Sequence, residues 1–177
     1  MEPVIRGTSL QGFDDLVATL GGDPVALLAS AGVHPGTVGD DEAFLPYRTL
    51  ALLVERAAAE LARPDFGLLL SQRQGVEILG AVALVARHAA TAAEALAGLR
   101  RWTHVYSTGF DVDVEARDDG SSRYTFTVVV PRLPERVQVL ELSLGVSLDL
   151  FRLLLGPGFR PRRVLLPHAP ADRKSVV

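Results

Sequence analysis

The sequence predicts an α+β fold, predominantly helical with one small antiparallel sheet. Three observations carry that prediction. From residue 10 to residue 106, apolar side chains recur at helical spacing between Gly and Pro breakers. Over about 109–130 the period changes to two, around the turn Asp118-Asp119-Gly120. A long helical pattern at 135–155 then leads to a short apolar run at about 162–167. Helices first, then a hairpin, a helix and a strand, argue for segregated elements rather than alternating strand and helix.

Residues 1–9 read as extended and loosely held. Ser9 is a candidate cap for a helix over 10–20 whose Leu10, Phe13, Leu16, Val17 and Leu20 face inward, and Gly21-Gly22 stops it. Asp23-Pro24 combines an N-cap with Pro at the first helical position and opens a helix to Ala31. Residues 34–41 form a loop of Pro, Gly and acids. Pro46 opens a strong helix to about 62, Arg63-Pro64-Asp65 breaks it, and Asp65 starts a short helix through 71. The run Ile78-Leu79-Gly80-Ala81-Val82-Ala83-Leu84-Val85-Ala86 has no polar side chain, which predicts a helix covered on all sides. It is too short to cross a bilayer, which needs about 20 apolar residues. Thr91-Ala92-Ala93-Glu94 is a capping box for a helix over 92–106, with Ala95, Leu96, Leu99, Trp102, Val105 and Tyr106 inward.

In the hairpin, Val112 and Val114 alternate with Asp111, Asp113 and Glu115. Across the turn, Tyr124, Phe126, Val128 and Val130 alternate with Thr125, Thr127 and Val129, so one face is buried. Pro131 and Pro134 end it. The helix at 135–155 carries two apolar stripes and a narrow polar side of Gln138, Glu141, Asp149 and Arg152. Gly156-Pro157-Gly158 stops it, and Arg163-Val164-Leu165-Leu166 reads as a third strand. No repeat or linker divides the chain, so 1–177 reads as one domain.

The 177 residues are 48% hydrophobic, enough to bury a real core. The net charge of -3 argues against nucleic-acid binding by this chain itself. With no cysteine, disulfide and thiol chemistry are excluded. The opening Met1-Glu2-Pro3-Val4-Ile5-Arg6 has no apolar core of a signal peptide, so the expected location is the cytoplasm, with no membrane partner.

Catalytic patterns do not assemble. Gly145-Val146-Ser147-Leu148-Asp149 lacks the second glycine of a nucleophile elbow and lies within a helix, so Ser147 reads as a packing serine. His34, His88, His104 and His168 stand apart, without metal-ligand spacing. Gly156-Pro157-Gly158 ends a helix where a phosphate cradle would begin one. Glu141 and Asp149 read as a solvated stripe or an Asp149–Arg152 pair. Neither an enzymatic activity, a cofactor nor a metal is expected.

Several local runs are shared with a known family. They are Leu45-Pro46-Tyr47; Pro64-Asp65-Phe66-Gly67-Leu68; Ile78-Leu79-Gly80; Thr91-Ala92-Ala93-Glu94-Ala95-Leu96; Arg101-Trp102; and Phe159-Arg160-Pro161-Arg162-Arg163-Val164 running to His168-Ala169-Pro170-Ala171-Asp172. In order and spacing these resemble the N-terminal effector-binding domain of AraC/XylS-type transcription regulators, the branch labelled "arabinose-binding domain". Trp102 stands where the family usually has tyrosine. The resemblance implies a small-molecule-sensing and dimerising domain that controls a separate helix-turn-helix module, through which alone DNA would be bound. Arg173-Lys174-Ser175-Val176-Val177 departs from the pattern, and the chain is expected to stop short of the family's last sensor elements and of that module.

Two readings of the centre stand side by side. In one, the aromatic residues close into a dry core and the chain is a structural interaction module. In the other, Trp102, Tyr106, Tyr124, Phe126 and Phe151 wall a pocket between the 92–106 helix, the 135–155 helix and the hairpin, with Arg101 or His104 meeting a ligand's polar end. The scarcity of inward polar residues suggests an apolar or amphipathic effector, fatty-acid-like, and the two-striped helix suggests a homodimer.

Overall fold

The computed structural model describes residues 2–134 and 136–167. The expected helix start at 135 and the family resemblance over 168–172 lie outside the described residues. The chain forms β1 (Val4–Arg6), a 3-10 turn Gly7–Leu10, α1 (Phe13–Thr19), α2 (Pro24–Ser30), a 3-10 turn Pro35–Thr37, and β2 (Phe44–Pro46). It continues through α3 (Tyr47–Glu60), α4 (Phe66–Arg73), a 3-10 turn Val76–Leu79, α5 (Ala81–His88), α6 (Ala92–Tyr106), β3 (Phe110–Ala116), β4 (Ser122–Val128) and α7 (Val137–Leu155). Helices dominate, and the described strands form two antiparallel pairs, so the fold is α+β.

Local capping signals explain the starts of α2 and α6. The Asp23 carboxylate accepts from the amides of Val25 and Ala26, at 2.9 and 3.1 Å, with Pro24 at the first position of α2. Thr91 Oγ1 accepts from the Glu94 amide at 3.2 Å, while Glu94 reaches back to the amide of Ala90 at 3.0 Å, one residue before the expected one. α1 begins later than expected. Gly12 precedes it in a left-handed conformation, and Ser9 lies in the 3-10 turn instead of capping.

Four expectations are corrected. The N-terminus is tied down: Ile5 pairs with Leu45 and bridges to Ser107, and its side chain is buried. β1 and β2 are three residues each, too short to show a period, and Pro46 obscured the second. No strand forms at 162–167; Val164, Leu165 and Leu166 are all exposed there. Three consecutive apolar residues give a strand no single face to bury, and Pro161 and Pro167 bracket them without N–H donors. The apolar run at 78–86 is broken at Gly80, whose φ of 55° separates a 3-10 turn from α5. α5 buries Val82, Ala83 and Ala86 but leaves Leu84 57% exposed, so it is one-sided and not enclosed. Finally, Gln138 and Glu141 are buried and form no solvated stripe.

Gln138 shows why. Its Oε1 accepts from the Gly67 amide at 2.8 Å, its Nε2 donates to the Pro64 carbonyl at 2.9 Å, and its own amide donates to Glu55 Oε1 at 2.8 Å. One buried residue, through its side chain and its backbone amide, thereby joins α3, the α3–α4 link and α4 to the first turn of α7. The helices pass so closely that a Cβ on Gly67 would collide with the Gln138 backbone, its carbonyl carbon at 2.9 Å and Cα at 3.1 Å. A Cβ on Gly145, two turns on, would strike the Ser71 hydroxyl and lie 2.5 Å from Ser71 Cβ. Around this crossing sit Phe13 and Phe66, edge to face at 5.8 Å, with Leu50, Leu53 and Val54 of α3. Among the described residues no helix is long and apolar enough to cross a membrane.

Alanine at either glycine would gain about 1 kcal/mol of helix propensity. Overpacking against the Gln138 backbone or the Ser71 side chain costs about 1–3 kcal/mol and wins. Urea titration is therefore expected to show Gly67→Ala and Gly145→Ala less stable than the parent. Gly158→Ala, with open space around it, should stay within about 0.5 kcal/mol.

Candidate ligand-binding site

The side of α7 adjoining the α4 contact faces a cavity of about 70 Å³, several times the roughly 10–15 Å³ one water requires. α7 supplies Leu142, Val146 and Leu150 to it, α6 supplies Leu99, Thr103 and Tyr106, and the hairpin supplies Phe110, Val112, Tyr124 and Phe126. Ile5, Ser9 and the segment from Gln74 to Val82 close the remaining side. The hairpin reaches this position because the β3–β4 register sets Val112 opposite Phe126 and Val114 opposite Tyr124, which puts the large side chains of β4 on one face. Phe110 and Phe126 stack at 4.5 Å between centroids and form one end of the wall.

The structure separates the seven expected site residues. Tyr106, Tyr124 and Phe126 line the cavity. Phe151 stands behind Tyr124, edge to face at 5.0 Å, and braces it. Arg101, Trp102 and His104 stand outside. Trp102 is 42% exposed, with the Arg101 guanidinium 5.5 Å from its ring centroid and His104 stacked at 6.2 Å. The buried stripe of α6 is Ala95, Leu99, Thr103 and Tyr106. A turn of roughly 100° per residue carries Trp102 off that stripe, and the polar Thr103 takes the place assigned to it.

Five further polar residues in the lining were not foreseen as site residues: Ser9, Gln74, Thr103, Ser143 and Ser147. Three of them use their hydroxyls within the fold. Thr103 donates to the Leu99 carbonyl, Ser143 donates to the Val139 carbonyl, and Ser147 shares a hydrogen bond with the Tyr124 hydroxyl at 3.1 Å. Gln74 Nε2 donates to the carbonyls of Ser9 and Gln11, at 2.8 and 3.1 Å. Gln74 Oε1 and Ser9 Oγ are buried with no hydrogen-bond partner. No local pattern announces either residue, since one sits in a 3-10 turn and the other just past a helix end, and only tertiary packing unites them. None of the lining residues carries a charge. Among the described residues no three His, Asp or Glu side chains gather as a metal site would require.

Residues 21–177 match the family described as the N-terminal arabinose-binding domain of AraC transcription regulators. The chain is also similar to the HTH-type transcriptional regulator VirS from two strains of Mycobacterium tuberculosis. Identity is 37% over 167 residues in each, covering 94% of this chain and 49% of the relative. The chain thus spans about half the length of the curated relatives it matches.

The chain's three tyrosines are Tyr47, Tyr106 and Tyr124. Burial pushes each phenol above its ordinary range, and for Tyr124 the bond to Ser147 opposes this more weakly. A phenol whose folded pKa is raised holds its proton more tightly in the native state. Its stabilising contribution is complete below about pH 10 and is lost as pH climbs from there towards the folded value. Tyrosinate absorbance is therefore expected to stay flat past pH 10 and to rise together with loss of helical circular dichroism. Any phenol that titrates near its ordinary value while the fold persists contradicts the burial described.

Proposed function

The chain belongs to the family of N-terminal arabinose-binding domains of AraC transcription regulators, and from that premise we propose that it senses a small molecule and dimerises on behalf of a DNA-binding module. The observation that carries the reading is the uncharged cavity between α6, α7 and the hairpin. Its walls run from Ile5 of β1 to Leu150 of α7, so an occupant contacts β1, α6, the hairpin and α7 together. Tyr106, Tyr124 and Phe126 would contact the ligand, with Phe151 as a brace. Arg101, Trp102 and His104 remain available to an outer surface.

The mechanism is linkage. A ligand that binds one arrangement of these elements better than another shifts the population towards it by its difference in affinity. The shift reaches DNA only if a second module follows, as the name of the relatives indicates for them. With a net charge of -3, this chain is assigned no DNA contact of its own and no catalytic step, and it would work in the cytoplasm beside that module. Exposed Leu153 and Leu155 at the end of α7 support self-association.

Val146→Phe tests the cavity. Filling open space leaves stability unchanged or raised, whereas forcing a ring into a dry core costs about 1–3 kcal/mol. Saturation-transfer NMR is expected to detect toluene bound to the parent and not to the variant, and sedimentation of both to show dimers. No toluene signal from the parent, with a destabilised variant, would leave only a packed structural core.

A further inference from the structure

We propose that the cavity selects an uncharged, mainly apolar molecule with a single hydroxyl, held between Ser9 Oγ and Gln74 Oε1. The inference rests on the cavity being a ligand site and adds which chemistry fits it. Gln74 is 94% buried and Ser9 98%, taking their exposures of 6% and 2% from the whole. The orientation of the Gln74 amide is fixed by its neighbours. Its other end faces the carbonyls of Ser9 and Gln11, which only accept, so that end is the NH2 and the free end is the oxygen. Both residues belong to the lining, and the bond from Gln74 Nε2 to the Ser9 carbonyl makes them direct neighbours there.

A buried polar atom without a partner costs about 1–3 kcal/mol. Two such atoms at the edge of one cavity mark where a ligand's polar group belongs. Gln74 Oε1 accepts only, and Ser9 Oγ–H can donate. A hydroxyl satisfies both, donating to the first and accepting from the second. A carboxylate cannot donate to Gln74, and it would enter a lining without a single charged residue. Arg6, whose charge acts on the lining residue Tyr106, is engaged elsewhere: it donates to the carbonyls of Val105 and Asp41 and lies over the Phe44 ring. A pentose fits less well, because its several hydroxyls need donors as well as acceptors, and Thr103 and Ser143 have already given their protons to backbone carbonyls. The family's descriptive label therefore does not name the ligand of this cavity, and the fatty-acid-like effector suggested by the apolar sequence becomes an alcohol-like one.

Calorimetric titration of the intact chain with 1-octanol, octanoate, octyl methyl ether and L-arabinose tests this. Octanol should bind roughly tenfold more tightly than the ether, the worth of about one hydrogen bond. Octanoate at neutral pH and arabinose should bind more weakly still. Ser9→Ala should weaken octanol and the ether alike, each roughly five- to tenfold, because both accept from the Ser9 hydroxyl and only octanol also donates to Gln74. Octanoate or arabinose binding as well as octanol, or the ether matching it, overturns the inference while leaving a ligand site in place. If none of the four binds, the ligand site itself fails and the inference with it.

Discussion

The close crossing of α4 and α7 is the constraint on which the rest of the molecule depends. Two glycines, Gly67 and Gly145, remove the side chains that would hold the helices apart, and Gln138 bonds across the gap they leave. The buried amide is tolerable because its oxygen and nitrogen both find partners there. α3 joins the same junction through Glu55, so three helices are fixed to one another before the hairpin contributes. α7 is therefore positioned by its contacts with α4 and α3.

That fixed position accounts for the cavity. With Gln138 and Gly145 committed to α4, the adjoining side of α7, carrying Leu142, Val146 and Leu150, faces the inner side of the hairpin. Aromatic side chains from β4 and α6 narrow the gap without closing it. The hydroxyls of Thr103, Ser143 and Ser147 are bonded within the fold, so the walls are apolar in effect although several of their residues are not. β1 completes the enclosure. Thr108 donates its amide to the Val4 carbonyl at 2.9 Å and Ser107 its hydroxyl to the same atom at 2.9 Å, which anchors the N-terminus to the end of α6.

What the sequence disclosed follows a physical division. Signals that act within a few residues were legible: the Asp23 and Thr91 caps, the breakers at Gly21-Gly22 and Pro64, and the alternation of Tyr124, Phe126 and Val128. Features that depend on distant partners were not. A three-residue strand such as Val4–Arg6 exists only because Phe44–Pro46 meets it. Gln138 looked like a surface residue because glutamine usually is one, and its partners lie about seventy positions earlier in the chain. Trp102 was drawn inward by its size, although the helical stripe through Leu99 and Thr103 passes beside it. The region of the site was legible, as a meeting of two helices and a hairpin. Its polar corner was not, because Ser9 and Gln74 come together only in the folded chain.

The central claim is that one occupant of the cavity acts on β1, the hairpin and α7 together. Hydrogen exchange of the intact chain with and without saturating toluene measures it most directly, since local opening reports the stability of each element separately. The account predicts slower exchange in β1, β4 and the middle of α7 together, with α1 and α2 unchanged because neither contributes to the lining. Unchanged exchange in the hairpin and α7, or protection confined to α1 and α2, would contradict it.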